Sequence, residues 1–458
     1  MRPRNRILAV MLALLSPVEA SAHVSEQGFV LLLPTGAYAA AGVAVVALTV
    51  VLLFAVPAGV IRRVFHVRRF RGADLERART VTSLISLVLL VGLVGIGLNG
   101  PRDPLSNLMP LIFWTLGWVG LVSLSGLIGD LWRWINPWTG LYRLIGQVRP
   151  KFALPKALGV WPAVLLLIGF AAFLLADIAP DDPARLAFLV SSYWISTMAG
   201  LVLFGPSWLR QVELGSVIFS SYSSLAAFRL GSNGGAGCPG WRLLERAPAP
   251  AGGIFVLTLL AVGSFDGINE TFWWLAKIGI NPLAFPGRSA VVWPTLVGLI
   301  GMILALVAVF AAAVRLGLIL CPGEAKFADA FGRLALSVLP IALAYHIAHY
   351  LTAFLVNSQH ALAALSDPLA SGADLLGIQP FYVTTGFFNH IDSVRIIWLT
   401  QAGVVVIGHV WSVLLAHRMI LDLFSDVRRA ALATLPLSLF MIAYTLFGLW
   451  LLATPKGA

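Results

Sequence analysis

Histidines inside hydrophobic stretches are the residues best placed to do chemistry in this chain. His346 and His349 are three positions apart, and His409 follows in the next hydrophobic segment. On a helix, positions i and i+3 share one face, and neutral imidazoles in a dry pocket are good ligands for transition metals. We therefore predict a metal site formed by His346, His349 and His409, with zinc or copper as the expected ion.

Other roles for these histidines stay open. Two imidazoles from different helices can ligate a haem iron, and histidines placed through a membrane can relay protons. In a purely structural role, each ring would bond a carbonyl, serine or tyrosine and join neighbouring helices. Depth also limits the metal prediction: at about 1.5 Å per residue, the three rings reach one ion only if a helix tilts or kinks.

A second polar group lies in the string Asp266-Gly-Ile-Asn-Glu270. Positions 266, 269 and 270 fall on one helix face, and two carboxylates there can supply metal ligands or a general base. We predict Asp266 and Glu270 as catalytic carboxylates, with an ordinary hydrated helix end as the alternative. The long connection at 357–395, which contains His360 and His390, is the expected substrate mouth or lid.

The segments that carry these residues are typical of membrane-spanning helices. Of the 458 residues, 59% are hydrophobic and 11% are charged, whereas soluble domains contain roughly 25% charged residues. Helices need about 20 apolar residues to cross the hydrocarbon. We predict an all-α fold, a single polytopic transmembrane helical bundle over residues 23–458, with ten spans at 31–60, 81–98, 108–129, 157–176, 186–204, 253–266, 291–314, 334–356, 396–417 and 431–452.

The first 22 residues have the pattern of a cleaved export signal. Arg2, Arg4 and Arg6 precede a short apolar core, and small residues end at Ala22. Cleavage there makes His23 the first residue of the mature chain. An N-terminal histidine can offer both its amine and its ring to copper, so His23 joins the predicted metal ligands, although it is equally the first residue past the protease.

The positions of the basic residues predict the orientation. With the mature N-terminus outside, 22 of the 31 Lys and Arg residues fall in cytoplasmic connections and six fall outside, as the positive-inside rule requires. We therefore predict a multi-pass protein of the bacterial cytoplasmic (inner) membrane. The formal charge of +11 then reflects topology and does not indicate a nucleic-acid partner. Cys238 and Cys321 lie in separate cytoplasmic loops and predict no disulfide.

Two weaker segments, 130–146 and 211–230, interrupt the apolar pattern with charged, serine and tryptophan residues. We predict that both lie along the membrane interface, where tryptophan is favoured. In the first of them, Asp130 is expected to pair with Arg133 in a structural anchor. The sequence contains no Walker loop, GxGxxG, GxSxG or HExxH motif, which argues against nucleotide-driven pumping, Rossmann cofactors, serine-hydrolase chemistry and zincin proteolysis.

Several strings resemble bacterial polytopic membrane proteins labelled fenitrothion hydrolase, an organophosphorus hydrolase. The resemblance covers most of the chain after residue 22 in order, and it implies the same fold, the hydrolysis of organophosphorus triesters and a second membrane subunit as a partner. It carries over no assigned catalytic residues. The strings are Asn107-Leu-Met-Pro-Leu-Ile-Phe-Trp, 130–138, Ser264-Phe-Asp-Gly-Ile-Asn, Ala344-Tyr-His-Ile-Ala-His-Tyr-Leu-Thr and Gly408-His-Val.

The implied activity is compatible with the residues. Attack on a neutral phosphotriester needs an activated water and a Lewis acid at the phosphoryl oxygen, and a histidine-bound metal beside a carboxylate provides both. On this hypothesis the three histidines bind metal, Asp266 is the base, and a hydrophobic small-molecule substrate enters from the lipid bilayer. The alternatives are a transporter, expected to show matching broken helices in two halves, and a metal- or haem-binding redox protein without hydrolase activity.

Overall fold

The computed structural model describes residues 28–146, 150–232, 234–247, 249–284, 287–323, 325–424 and 426–456. The predicted export signal and His23 lie outside these residues. Ten long helices occupy the ten predicted hydrophobic segments. They are α1 (Thr35–Ala55), α2 (Glu76–Asn99), α3 (Leu108–Ile128), α4 (Trp161–Ala176), α5 (Pro183–Phe204), α6 (Pro250–Asn269), α7 (Arg288–Leu320), α8 (Leu339–Ser366), α9 (Ile391–Ile420) and α10 (Val427–Ala453).

The predicted fold class is confirmed. Within the described ranges, nine helices are long and apolar enough to cross a membrane, with α8 counted from the helical turns that begin at Phe327. The exception is α4, whose 16 residues extend only about 24 Å. The protein is an all-α, multi-pass bundle. In α3 the residues Leu111–Leu121 form a π-helix, a wider turn that often occurs at functional sites.

Shorter elements connect the long helices. A small antiparallel sheet has the strand order β1–β3–β2, with β1 at Arg68–Phe70, β2 at Phe228–Arg229 and β3 at Gly234–Ala236. The short helices are Ala58–Val64, Trp132–Ile135, Thr139–Leu144, Lys156–Leu158, Ser207–Gln211, Leu214–Tyr222, Ser223–Leu225, Trp241–Leu244, Phe272–Lys277, Pro282–Ala284, Phe327–Leu334, Ala335–Val338 and Gly386–Asn389.

Alternate connections meet at the same end of the bundle. The sheet joins the connection after α1 to the one before α6, and Arg62 donates to the carbonyl of Leu421 after α9 (3.3 Å). At the other end, Arg288 donates to the carbonyl of Asp177 (2.7 Å). We call the first end the basic end; it consists of the described residues within 56–79, 129–160, 205–249, 321–338 and 421–426.

Helices α6 and α8 form the centre of the bundle. In each, 78% of the most apolar window is buried inside the protein, whereas only 11% is buried in α2. The side chains of α2 therefore face the surroundings, where an apolar helix is stable only against lipid. The predicted site residues Asp266, His346 and His349 belong to the two most enclosed helices.

Much of the segment 211–230, which we predicted along the membrane interface, is buried in the protein. Glu213 is 1% exposed and caps the helix Leu214–Tyr222, accepting hydrogen bonds from the backbone N–H of Gly215 (2.7 Å) and Ser216 (2.6 Å). The hydroxyl of Tyr193, in α5, donates to the same carboxylate (2.8 Å). These donors offset the cost of burying the charge.

The segment 130–146 packs against this buried helix. The ring of Trp132 stacks on that of Phe219, with centroids 4.9 Å apart, and its indole N–H points to Glu213 (3.4 Å). Trp138 is 3% exposed and donates to the carbonyl of Trp194 (3.1 Å). Trp132 and Trp138 thus fill the bundle, because each finds an internal partner for its N–H.

The packing of α8 against α9 depends on Gly408. A β-carbon at this position would lie 2.4 Å from that of Ala344 and 2.8 Å from the carbonyl oxygen of Pro340. A hydrogen bond from the side chain of Gln401 to the carbonyl of Ala348 (2.8 Å) joins the same two helices. Both contacts fix α8, which carries the predicted histidines.

We expect Gly408→Ala to destabilise the protein by about 1–3 kcal/mol, because the added methyl group overpacks the α8–α9 interface. The matched control is Gly403→Ala on the same helix, where a β-carbon meets nothing within 4 Å. The free energy of unfolding in mixed micelles measures both. Equal effects of the two substitutions would contradict the close approach at Gly408.

Candidate functional site

A carboxylate and an imidazole meet between α6 and α8. Nε2 of His349 lies 3.1 Å from Oδ2 of Asp266, and each side chain is 9% exposed. The hydroxyl of Tyr350 donates to the same carboxylate oxygen. Two donors on one oxygen fix the orientation of the carboxylate, so this pair is the best-defined polar contact among the predicted site residues.

His346 points in another direction, although it lies one turn before His349. Its Nε2 donates to the carbonyl of Trp118 in α3 (3.0 Å), and its ring meets the indole edge-on, with centroids 5.0 Å apart. The ring of Tyr222 is 6.4 Å away. His346 therefore connects α8 to α3 and to the buried helix Leu214–Tyr222.

A small, largely enclosed cavity lies between α3, α6 and α8, beside the two histidines. Its volume is about 20 Å³, which is room for about one water molecule. The walls are mostly aromatic and apolar, with the two imidazoles among them. The lining residues are Trp118, Tyr222, Leu259, Val262, Gly263, Ala342, Tyr345, His346, His349 and Tyr350.

His409 occupies a different place. Its Nδ1 donates to the carbonyl of Val405 in its own helix (2.8 Å), and its ring lies 6.3 Å from that of Tyr444 in α10. It is 1% exposed, and its Nε2 has no hydrogen-bond partner among the described residues. The described contacts thus associate His409 with α10, whereas His346 and His349 contact α3 and α6.

Glu270 lies at the surface. Its side chain is 48% exposed and pairs with Lys456 (3.6 Å), while Asn269 accepts a hydrogen bond from Thr295 (3.0 Å). Of the three residues on the predicted polar face, Asp266 is buried, Asn269 is half-buried and Glu270 is exposed. The two carboxylates predicted as catalytic therefore have separate environments and separate partners.

The described residues do not provide the predicted three-histidine centre. In the parts of the chain that the structure covers, no group of three His, Cys, Asp or Glu side chains is arranged to hold a metal ion. The two histidines at the cavity direct Nε2 to different acceptors, Trp118 and Asp266. The zinc or copper site, with or without His23, stays a prediction that this geometry does not favour.

Several site residues escaped sequence reasoning. Tyr350 was visible beside the histidines, but only the structure pairs its hydroxyl with Asp266. Trp118 and Tyr222 are more than 100 positions from His346 and contact it only through the fold. No sequence spacing could have identified them, since they come from a π-helical stretch and from a segment expected at the interface.

Comparisons with known proteins add no family assignment. The chain matches no protein-family model, no curated protein and no solved structure. The fold and the site therefore define the class on their own terms: a multi-pass, all-α membrane protein with a buried carboxylate–histidine pair beside an aromatic cavity.

We expect Asp266→Ala to destabilise the protein by about 2–4 kcal/mol, because two buried donors, on His349 and Tyr350, lose their acceptor. Asp266→Asn keeps one acceptor and should cost less. Glu270→Ala is the control and should cost less than about 1 kcal/mol, since its ion pair is exposed. Thermal or denaturant unfolding in detergent measures the series; an equal loss in the Glu270 variant would contradict this account.

Proposed function

We propose that this protein is a membrane-bound hydrolase of apolar organophosphorus triesters in which His349, oriented by Asp266, activates the attacking water. The supporting observation is the 3.1 Å contact between these two buried side chains at a cavity large enough for water. The resemblance of the sequence to membrane proteins labelled fenitrothion hydrolase supports the choice of substrate class. The proposal keeps the predicted reaction and changes the roles of the residues.

The reaction needs a base that is held in one orientation. When Nε2 of His349 carries the hydrogen that it donates to Asp266, Nδ1 is the basic nitrogen. Nδ1 then accepts a proton from water while the oxygen bonds to phosphorus and the aryl oxide leaves. Asp266 stabilises the imidazolium that forms, as the carboxylate does in a hydrolytic triad. The hydroxyl of Tyr350 keeps the carboxylate in place.

The closed cavity accommodates the water and not the ester, because about 20 Å³ is far smaller than usual ligand pockets of roughly 300–1,000 Å³. Binding of an aryl triester therefore requires the rings of Trp118 and Tyr222 to move. Both rings contact His346, so their movement would change the surroundings of this histidine. An apolar substrate can reach the bundle through the lipid.

A metal-dependent mechanism fits the side chains less well. The Nε2 atoms of His346 and His349 have different partners, the carbonyl of Trp118 and the carboxylate of Asp266. The ring of His409 contacts α10 instead. The proposed base is therefore the imidazole of His349 and not a metal-bound water. Substitution of His409 distinguishes the two mechanisms. The three-histidine metal site requires this residue, whereas the proposed base does not.

We expect His349→Gln to lower kcat for release of nitrophenol from an aryl phosphotriester by about 10²–10⁴-fold, the usual contribution of a general base. Asp266→Asn should also lower kcat, and the double variant should lose little more than His349→Gln alone, because the two residues act as a unit. His409→Gln is the matched control and should keep most of the activity.

Prolonged dialysis of the purified protein against a chelator tests the same point. Unchanged turnover after dialysis agrees with His349 as the base. Loss of activity both on dialysis and in His409→Gln would sink the proposed mechanism in favour of the metal site. A wild-type protein that releases no nitrophenol would overturn the hydrolase proposal itself.

We further propose that the protein resides in a bacterial cytoplasmic membrane, with the basic end in the cytoplasm and the mature N-terminus outside. The excess of Lys and Arg at that end supports this orientation. In a background of Cys238→Ser and Cys321→Ser, an impermeant maleimide added to spheroplasts should label Asp392→Cys and spare Arg71→Cys. Labelling only of the second variant would reverse the orientation.

A further inference from the structure

Four arginines lie around a single carboxylate at the basic end. Asp130 and Arg133 follow α3, and the backbone N–H of Arg133 donates to Asp130 (3.2 Å). Arg79 belongs to the first turns of α2, and Arg242 and Arg246 come from the connection before α6. Each of the four guanidinium groups interacts electrostatically with Asp130. We call these four residues the arginine cluster.

The neighbouring carboxylates already have partners. Glu245 pairs with Arg69, and Glu76 pairs with Arg143, although it also lies 3.8 Å from Arg79. Within the described residues, Asp130 is the carboxylate that all four members of the arginine cluster share, and Glu76 is a second counter-charge for Arg79. The arginines outnumber these carboxylates; Arg79, Arg242 and Arg246 are half-buried, whereas Arg133 is exposed.

Burial makes this excess costly. Burial and the adjacent charge of Arg242 lower the pKa of Arg246 to about 10, and burial together with Arg229 lowers the pKa of Arg242. Free arginine stays protonated well above pH 12. These shifts indicate guanidinium groups that repel one another and that a bound anion would stabilise.

The geometry leaves donors available. Among the described residues, Arg242 donates through one terminal nitrogen to the carbonyl of Ser223 (2.8 Å). Arg246 likewise donates through one terminal nitrogen, to the carbonyl of Ser220 (2.7 Å) and the hydroxyl of Ser224 (2.5 Å). The guanidinium of Arg79 lies over the ring of Trp134, 5.2 Å from its centroid, and its buried Nε has no hydrogen-bond partner in the described part of the chain. Arginine presents five N–H groups in a planar fork that matches a phosphate.

We propose that Arg79, Arg133, Arg242 and Arg246 form a binding site for a phosphate-bearing anion. The shared chemistry fits two sources, the headgroup of an anionic phospholipid and a free phosphate. The site lies in a part of the molecule that the proposed hydrolysis does not use, and it gives the string at 130–138 a role beyond anchoring.

The test uses the full-length protein in a neutral detergent. Phosphatidylglycerol is compared with phosphatidylcholine, and sodium phosphate with sodium chloride at equal ionic strength, by the shift in Tm and by native mass spectrometry. Phosphatidylglycerol, phosphate or both should raise Tm above that of the matched control. Arg133→Gln should weaken the binding about fivefold, the contribution of one basic residue near an anionic surface.

Arg63→Gln is the control, because Arg63 is exposed at the same end but outside the arginine cluster. It should keep the wild-type shift. Arg242→Gln is a second variant and should weaken the binding to the same extent. Because it also removes the hydrogen bond to Ser223, it could impair folding; Arg133→Gln then still provides the test. Equal Tm values with both lipids and both salts would overturn the proposal, as would a loss of binding in Arg63→Gln equal to that in Arg133→Gln. Whether phosphatidylglycerol or phosphate raises Tm identifies the source of the anion.

Discussion

The buried contact between Asp266 and His349 is the interaction on which the rest of the site depends. A carboxylate in an apolar bundle has no bulk water to solvate it, so the protein itself must supply the donors. His349 and Tyr350 do so from α8, which holds α6 and α8 in one register. The neighbouring walls of the cavity follow from that register, because Tyr345 and His346 lie on the same turns.

The same constraint explains the buried helix Leu214–Tyr222. Its carboxylate cap, Glu213, takes donors from its own helix and from Tyr193, and its C-terminal carbonyls accept from Arg242 and Arg246. A negative cap at the first end and positive charges at the last oppose the helix dipole favourably. Backbone that does not span can lie inside a membrane protein when it is enclosed in this way.

Hydrophobic length allowed the sequence to predict the ten helices, since each apolar segment requires a continuous ladder of backbone hydrogen bonds in lipid. It could not predict which side chains would meet. Asp266 and Glu270 lie one turn apart on the same predicted face, yet the end of α6 leaves one buried and the other exposed. His409 belongs to the helix next to His346, but the rotation of α9 directs it to Tyr444.

The serine content and Glu213 of the segment 211–230 did not reveal its burial, because polar residues suit both an interface and a polar interior. The interior differs from the interface in the hydrogen-bond partners that the protein itself supplies. Trp132, Tyr193 and Glu213 satisfy one another only when three distant parts of the chain meet, and no local pattern encodes that meeting. Sequence reasoning is therefore strongest where lipid dictates the structure and weakest where polar groups must find each other inside it. The proposed hydrolytic pair belongs to the second category: low dielectric strengthens its electrostatic contact, and that strength exists only because the surrounding helices exclude water.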